Sequence, residues 1–184
     1  MKFVIIFYSN GSKRKRNFEP QRECVSEMSK TPYEIRWARP EDWEAAINLV
    51  WKTFMEFEAP DYSDEGIINF KDFLTDGMIY RMFLDGNYPM FVAEDDGKIV
   101  GVVSVRNRNR ISLLFVDAAY HKQGIGSALV ERMNRYLKEE KRELYVTVMA
   151  APYAVDFYRT IGFHACAPEE QFAGIRVTSM EKIF

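Results

Sequence analysis

The stretch His121-Lys122-Gln123-Gly124-Ile125-Gly126 carries the most information in this chain. It follows the apolar run 111–117 and begins an amphipathic segment, an order typical of a strand that turns through glycines into a helix. Glycine lets the backbone adopt positive φ and approach a ligand closely. The amides in the first turn of a helix have no intrahelical partner, and together with the helix dipole they favour an anion. The stretch therefore predicts a site for a phosphate or pyrophosphate group.

The spacing of the glycines distinguishes three kinds of phosphate-binding loop. A dinucleotide fingerprint requires G-x-G-x-x-G, and Leu129 stands where its third glycine would be. A nucleotide P-loop requires G-x-x-x-x-G-K-S/T, and no segment of the chain has that pattern. The pattern that remains resembles motif A of the GNAT acyltransferase superfamily, Q/R-x-x-G-x-G/A, which cradles the pyrophosphate of acetyl-CoA. His121 departs from this motif because it occupies the Q/R position.

A second segment strengthens the resemblance. The apolar run 144–148 is followed by residues 151–163, which resemble motif B of the same superfamily, N-x-x-A-x-x-F-Y-x-x-x-G-F. The residues that match this motif in register are Ala154, Phe157, Tyr158, Gly162 and Phe163. Ala151 replaces the usual asparagine. Two motifs in the expected order, each in a strand–helix context, extend the resemblance from about Tyr33 to the C-terminus.

Local patterns predict the elements that such a fold needs. Apolar residues between Trp43 and Phe54 follow helical spacing after Pro40, and a second helical region spans 64–84 with a break near Asp76-Gly77. A third helix is expected at 124–140. The strands are expected at 34–38, 90–93, 99–105, 111–116, 144–148 and 175–182. The resemblance implies an α/β (α+β) fold in which helices flank a mixed, mostly antiparallel central sheet that splays at the CoA site.

The resemblance also implies a reaction, in which a primary amine directly attacks the thioester of acetyl-CoA, the acyl donor. Tyr158 occupies the position usually assigned to the general acid, since a phenol is protonated at neutral pH and can donate to a thiolate. An aromatic residue packed on the core is the structural alternative for it. The residues implied in cofactor binding are Leu114, Phe115, Val116, His121, Lys122, Gln123, Gly124, Ile125, Gly126, Ser127, Ala151, Phe157 and Tyr158.

The acceptor side is less clearly marked. Glu56, Glu58 and Asp61 lie between the first two helices and could attract a cationic amine, although acids in a loop are often plain surface. Tyr80 could border the same pocket. Three arginines alternate along a predicted hairpin, so they could bind an acidic group or form a solvated tip; they are Arg106, Arg108 and Arg110.

Composition limits the remaining classes. The chain has 184 residues, is 47% hydrophobic and carries a net charge of −2, which suits one globular domain and gives no general attraction to nucleic acid. Cys24 and Cys166 form neither a metal spacing nor a disulfide framework, so we expect no metal and a cytoplasmic location. No apolar run approaches the roughly 18 residues of a membrane span. Residues 1–30 differ in composition and are expected to be a poorly ordered extension before a domain at 31–184.

Three functions from different classes follow from these observations. The first is an acetyl-CoA-dependent N-acetyltransferase that acts on a primary amine of a small molecule or peptide; the resembled superfamily often dimerises, so a homodimer is one assembly to expect. The second is a non-catalytic acyl-CoA-binding or regulatory module on the same fold, which the departures at His121 and Ala151 allow. The third is nucleic-acid binding through the basic cluster 13–16, which the acidic balance elsewhere disfavours.

Overall fold

The strands and helices follow one another along the chain in the predicted order, apart from two short strands that the sequence did not predict. The computed structural model describes residues 33–172 and 175–184, so the expected extension at 1–30 lies outside the described residues. The strands are β1 (Glu34–Trp37), β2 (Met90–Asp95), β3 (Lys98–Arg106), β4 (Arg110–Val116), β5 (Tyr145–Ala150), β6 (His164–Ala165), β7 (Glu170–Phe172) and β8 (Ile175–Ile183). The helices are α1 (Trp43–Phe57), α2 (Asp64–Thr75), α3 (Gly77–Leu84), α4 (Ile125–Glu139) and α5 (Val155–Thr160).

The strands pair in the order β1-β2-β3-β4-β5-β8-β6, with β7 on β8. Every pairing is antiparallel except that of β4 with β5, which is parallel. Helices cover the sheet, and this arrangement confirms the predicted mixed α/β fold. The short strands β6 and β7 were not predicted, because two or three residues are too few to produce a periodic pattern.

The break in the second helical region has a local cause. Asp76 adopts an extended conformation, with φ −67° and ψ 114°, and therefore ends α2. Its side chain accepts a hydrogen bond from the amide of Met78 at 2.8 Å and so caps α3. An aspartate in this position satisfies one of the free amides of the following helix. The predicted single region is thus two helices joined at the predicted break.

The core has two apolar layers, one on each face of the sheet. The side chains of successive strand residues point to opposite faces, and β2 shows this directly. Phe91 and Ala93 pack on the side of α4, whereas Met90 and Val92 pack on the side of α1, α2 and α3. Burial on both faces explains why β2 and β3 are apolar runs rather than alternating ones.

The sheet opens where β4 meets β5. The two strands are in register at Arg110 and Thr147, and the amide of Thr147 also donates to the carbonyl of Asn109 at 3.0 Å. Arg110 is the first residue of β4, so the rest of that strand runs on beyond the registered pair. The far ends of β4 and β5 therefore border a gap in the sheet. Within the ranges described, no helix is long and apolar enough to cross a membrane.

Candidate active site

A cleft of about 500 Å³ lies at the open end of β4. One wall is the end of β4 and the turn into α4, and another is the last turns of α1, with Thr53 and Phe57. The third wall comes from residues 153–158, which include the start of α5. Segments that are distant in sequence therefore converge here, and they include both of the motifs identified in the sequence.

The glycine turn gives the cleft a set of free backbone amides. Gly124 precedes α4 and has φ +84°, a left-handed conformation that favours glycine. The first hydrogen bond of the helix joins the amide of Ala128 to the carbonyl of Gly124 at 3.0 Å. The amides of Ile125, Gly126 and Ser127 therefore have no partner within the helix, and these three residues line the cleft. Such a turn can hold a phosphate or pyrophosphate group.

The turn is held from outside by polar contacts. Asp117 accepts hydrogen bonds from the amide of Ala119 at 3.1 Å and from Lys98 at 3.2 Å. Tyr120 donates to Asp95 at 2.7 Å, which ties the turn to the end of β2. Gln123 donates through Nε2 to the carbonyl of Ala119 at 3.1 Å. The conformation of the loop is thus set before any ligand arrives.

His121 is the motif residue whose contact was not foreseen. Its Nε2 lies 2.8 Å from the carbonyl oxygen of Val116, and its ring centroid lies 5.0 Å from that of Phe57. The imidazole therefore connects the end of β4 to α1 along the edge of the cleft. A carbonyl has two lone pairs, so the oxygen of Val116 keeps capacity for one further donor.

Tyr158 lies on α5 and lines the cleft although only 4% of its surface is exposed. Its ring packs edge-on against Phe157 and Phe163, with centroids 5.2 Å away in each case. Across residues 33–172 and 175–184 no hydrogen bond to its hydroxyl is found. Burial, and then the nearby charge of Glu58, raise the pKa of Tyr158. The phenol is therefore protonated at neutral pH.

Glu58 ends α1 and receives two phenolic hydrogen bonds. Tyr153 donates to Oε1 at 3.0 Å, and Tyr62 donates to Oε2 at 3.2 Å. Burial raises the pKa of Glu58, and the two phenols reduce this effect without cancelling it. Burial and the charge of Glu58 in turn raise the pKa values of Tyr62 and Tyr153. The carboxylate, the two phenols and Tyr158 form one electrostatic cluster.

Most of the residues that the resemblance implied in cofactor binding are brought together here. All of them line the cleft except Gln123 and Ala151. The acceptor candidates are more scattered. Glu56 and Asp61 are exposed, and Tyr80 packs on Trp43 and Phe83, with centroids 5.2 and 6.5 Å away. Glu58 alone among these four candidates is hydrogen-bonded to a residue that lines the cleft.

Sequence reasoning missed several residues of the cleft. Thr53 and Phe57 are four positions apart on α1, which extends past the predicted stripe, and this spacing was a usable sign of a shared face. Tyr153 lies inside the second motif, yet its bond to Glu58 joins residues 95 positions apart and has no local sign.

Two of the three arginines make separate contacts. Arg106 lies over the ring of Phe73 at 5.3 Å, whereas Arg108 donates to Glu143 at 3.0 Å.

Comparison with known proteins agrees with this geometry. Residues 58–184 match the family model described as an acetyltransferase (GNAT) domain. The chain is 31% identical over 88 residues to the peptidyl-lysine N-acetyltransferase YiaC of Escherichia coli (strain K12). That match covers 46% of this chain and 58% of the relative, so the chain spans less than two thirds of that protein's length.

Solved structures resemble the fold. A GCN5-related N-acetyltransferase from Rhodopseudomonas palustris has a TM-score of 0.71 at 22% identity, over 86% of this chain and 100% of the other. The PaiA N-acetyltransferase of Thermoplasma acidophilum, in complex with coenzyme A, has a TM-score of 0.70 at 20% identity, over 85% of this chain and 100% of the other.

Proposed function

Because the chain belongs to the acetyltransferase (GNAT) family, we propose that it transfers the acetyl group of acetyl-CoA to a primary amine. One observation carries the proposal. A buried phenol with no protein partner in the described ranges, Tyr158, shares a cleft with the free amides at the start of α4. A site that binds pyrophosphate and also offers a proton donor suits acyl transfer from a CoA thioester.

The residues of the cleft fit acetyl-CoA. A Cβ built on Gly124 meets nothing within 4 Å, so there is open space beside the amides that would hold the pyrophosphate. Leu114 and Val116 lie where β4 pairs with β3 but no longer with β5, and their backbone groups on the open side would bind the pantetheine arm. The bound donor supplies a thioester carbonyl as the electrophile. Tyr158 would then protonate the sulfur that leaves.

The acceptor is proposed to be a cationic primary amine. Glu58 is the acid that supports this, because it contacts Tyr153 of the cleft and its carboxylate is partly shielded from solvent. YiaC is named as a peptidyl-lysine N-acetyltransferase, so a lysine side chain in a peptide is one acceptor to test beside small amines. The cytoplasmic location, the homodimer and the lack of nucleic acid stay predictions from the sequence.

Two measurements test the proposal. The first is calorimetric titration with acetyl-CoA, with CoA and ATP as comparators. The second is release of free thiol from acetyl-CoA in the presence of amines, including lysine peptides. Micromolar binding of acetyl-CoA but not ATP, followed by amine-dependent thiol release, supports the transferase. A folded sample that binds no acetyl-CoA contradicts it.

A non-catalytic acyl-CoA-binding module is the second candidate. The observation that favours it is the departure at His121, whose imidazole contacts the carbonyl of Val116 at the motif position where the resembled superfamily has Gln or Arg. Tight binding of acetyl-CoA without thiol release across the amine panel would identify this function instead.

A further inference from the structure

One side-chain hydrogen bond that neither motif explains joins two of the three walls of the cleft, the end of α1 and the segment 153–158. The hydroxyl of Tyr153 donates to Oε1 of Glu58 at 3.0 Å, across 95 positions of sequence. Tyr153 belongs to the turn before α5, and Glu58 follows α1. The bond therefore links the side of the cleft that carries Tyr158 to the side expected to receive the amine.

We propose that Tyr153 is a positioning residue for acyl transfer, which holds the carboxylate of Glu58 where it takes the proton of the acceptor amine. This inference rests on the proposed function, since it concerns the proton that the amine must lose. Glu58 is the proton acceptor, and Tyr62 supports it from the same wall. Tyr158 acts separately, on the leaving sulfur.

The exposure of Tyr153 argues against a purely structural role. Its side chain is 55% exposed, so it adds little to the core. Its hydroxyl nevertheless makes a hydrogen bond to a carboxylate that is shielded from solvent. Hydrogen bonds to charged groups are among the stronger ones. The contact therefore serves to orient the carboxylate.

The hydrogen-bond geometry of Glu58 leaves room for an amine. Tyr153 and Tyr62 donate to different oxygens of the carboxylate. An ionised carboxylate has about four acceptor sites, so each oxygen can accept a further N–H group. The phenols thus fix the plane of the carboxylate without using up its capacity.

The charges around Glu58 suit proton transfer from an ammonium group. The groups that face it are the phenols of Tyr62, Tyr153 and Tyr158, and Asp61 is close enough to act on Tyr62. Within the described residues, no cationic side chain affects the pKa of Glu58. Burial raises the pKa of Glu58, and a carboxylate whose pKa is closer to the working pH is a better base.

The proton balance of the step is complete. Glu58 takes one proton from the ammonium group, and the neutral amine then attacks the carbonyl carbon of the thioester. The C–N bond forms and the C–S bond breaks as Tyr158 gives its proton to the sulfur. The proton that the new amide nitrogen must still lose returns to the oxygen of Tyr158. Glu58 releases its proton to solvent, so one proton is released for each acetyl group transferred.

The experiment compares Tyr153→Phe with the wild type and with Tyr145→Phe. Tyr145 is a matched control because it is also partly exposed, at 44%, and lies on β5. We expect Tyr153→Phe to lower kcat by roughly ten- to a hundredfold, with acetyl-CoA affinity within about twofold. The lost donor raises the pKa of Glu58 further, so the acid limb of the pH profile moves to higher pH. Tyr145→Phe should change none of these quantities.

A second variant keeps the test decisive if Tyr153→Phe proves poorly folded. Glu58→Gln preserves shape but cannot accept the proton, so its kcat should fall and the acid limb should disappear. Two results would overturn this inference alone, provided that the wild type is active. One is an acid limb that survives in Glu58→Gln, and the other is a folded Tyr153→Phe with unchanged kcat and pH profile. A wild type that releases no thiol with any amine overturns the proposed function together with this inference.

Discussion

The ring of Phe157 faces Gly126 closely enough that a Cβ added to the glycine would touch it. A Cβ built on Gly126 would lie 3.4 Å from Cζ of Phe157, the tight end of ordinary packing. Gly126 is the second residue of α4, and Phe157 precedes Tyr158 on α5. The start of α4 and the helix that carries the candidate acid therefore lie close to one another at this point.

The hydroxyl of Tyr158 is the first target for mutation. We expect Tyr158→Phe to lower turnover by roughly ten- to a thousandfold, as for the loss of one general acid. The removed hydroxyl has no partner within the described part of the chain, so no donor or acceptor is left unsatisfied. Acetyl-CoA affinity by calorimetry and the melting temperature should therefore change little. Unchanged turnover would remove Tyr158 from the mechanism.

The left-handed conformation of Gly124 makes the turn sensitive to any side chain. Gly124→Val should cost about 1–2 kcal/mol of stability from backbone strain and should also weaken acetyl-CoA binding at least tenfold, because the amides shift. Gly86 is a matched control, since it has φ +71° and an added Cβ there meets nothing within 4 Å. Gly86→Val should lower the melting temperature similarly and leave acetyl-CoA affinity unchanged. Equal affinity in both variants would mean that the anion site lies elsewhere.

His121 occupies the motif position where the family has Gln or Arg. His121→Arg would place a permanent charge beside the turn and would remove the imidazole from the carbonyl of Val116. We expect acetyl-CoA to bind roughly three- to tenfold more tightly, a gain of up to about 1.4 kcal/mol. The gain should shrink at high salt because exposed charges are screened. Weaker binding at every salt concentration would indicate that the imidazole itself contacts the donor.

The ion pair that anchors the start of α1 makes stability depend on pH. Arg36 donates to the carboxylate oxygens of Asp42 at 2.6 and 2.9 Å, and also to Glu94. The hydrogen bond from Arg36 is the main cause that lowers the pKa of Asp42, against the effect of burial. Asp42→Asn should destabilise the protein by about 1–3 kcal/mol at pH 7, because it leaves a poorly solvated guanidinium without one partner.

The sign of the pH effect follows from the lowered pKa of Asp42. Its contribution is fully present above the unfolded pKa of about 3.9 and is lost as the pH falls through the lower folded value. Denaturant unfolding should therefore separate wild type and Asp42→Asn at pH 7 and bring their stabilities together below about pH 4. A difference that is constant across this range would assign the effect to packing rather than to charge.

Patterns within single segments accounted for much of the fold. The stripe on α1 was predicted because Ala46, Val50 and Phe54 recur at helical spacing, and all three are fully buried. The break at Asp76 was predicted because Asp-Gly favours turns and caps. The strands β6 and β7 were missed since their hydrogen bonds depend on β8, which comes later in the chain.

The sequence by itself determined the local structural features of this protein. Gly124 can take the left-handed conformation, the following amides are free at the start of a helix, and Tyr158 stands at a recognisable spacing from Gly162 and Phe163. Each of these features depends on residues that are close in the chain, and local sterics and hydrogen bonds set their geometry. Only the tertiary structure decided which acid is hydrogen-bonded to a residue of the cleft. Glu58 meets Tyr153, 95 positions later in the chain, because α1 and the turn before α5 both flank the gap between β4 and β5.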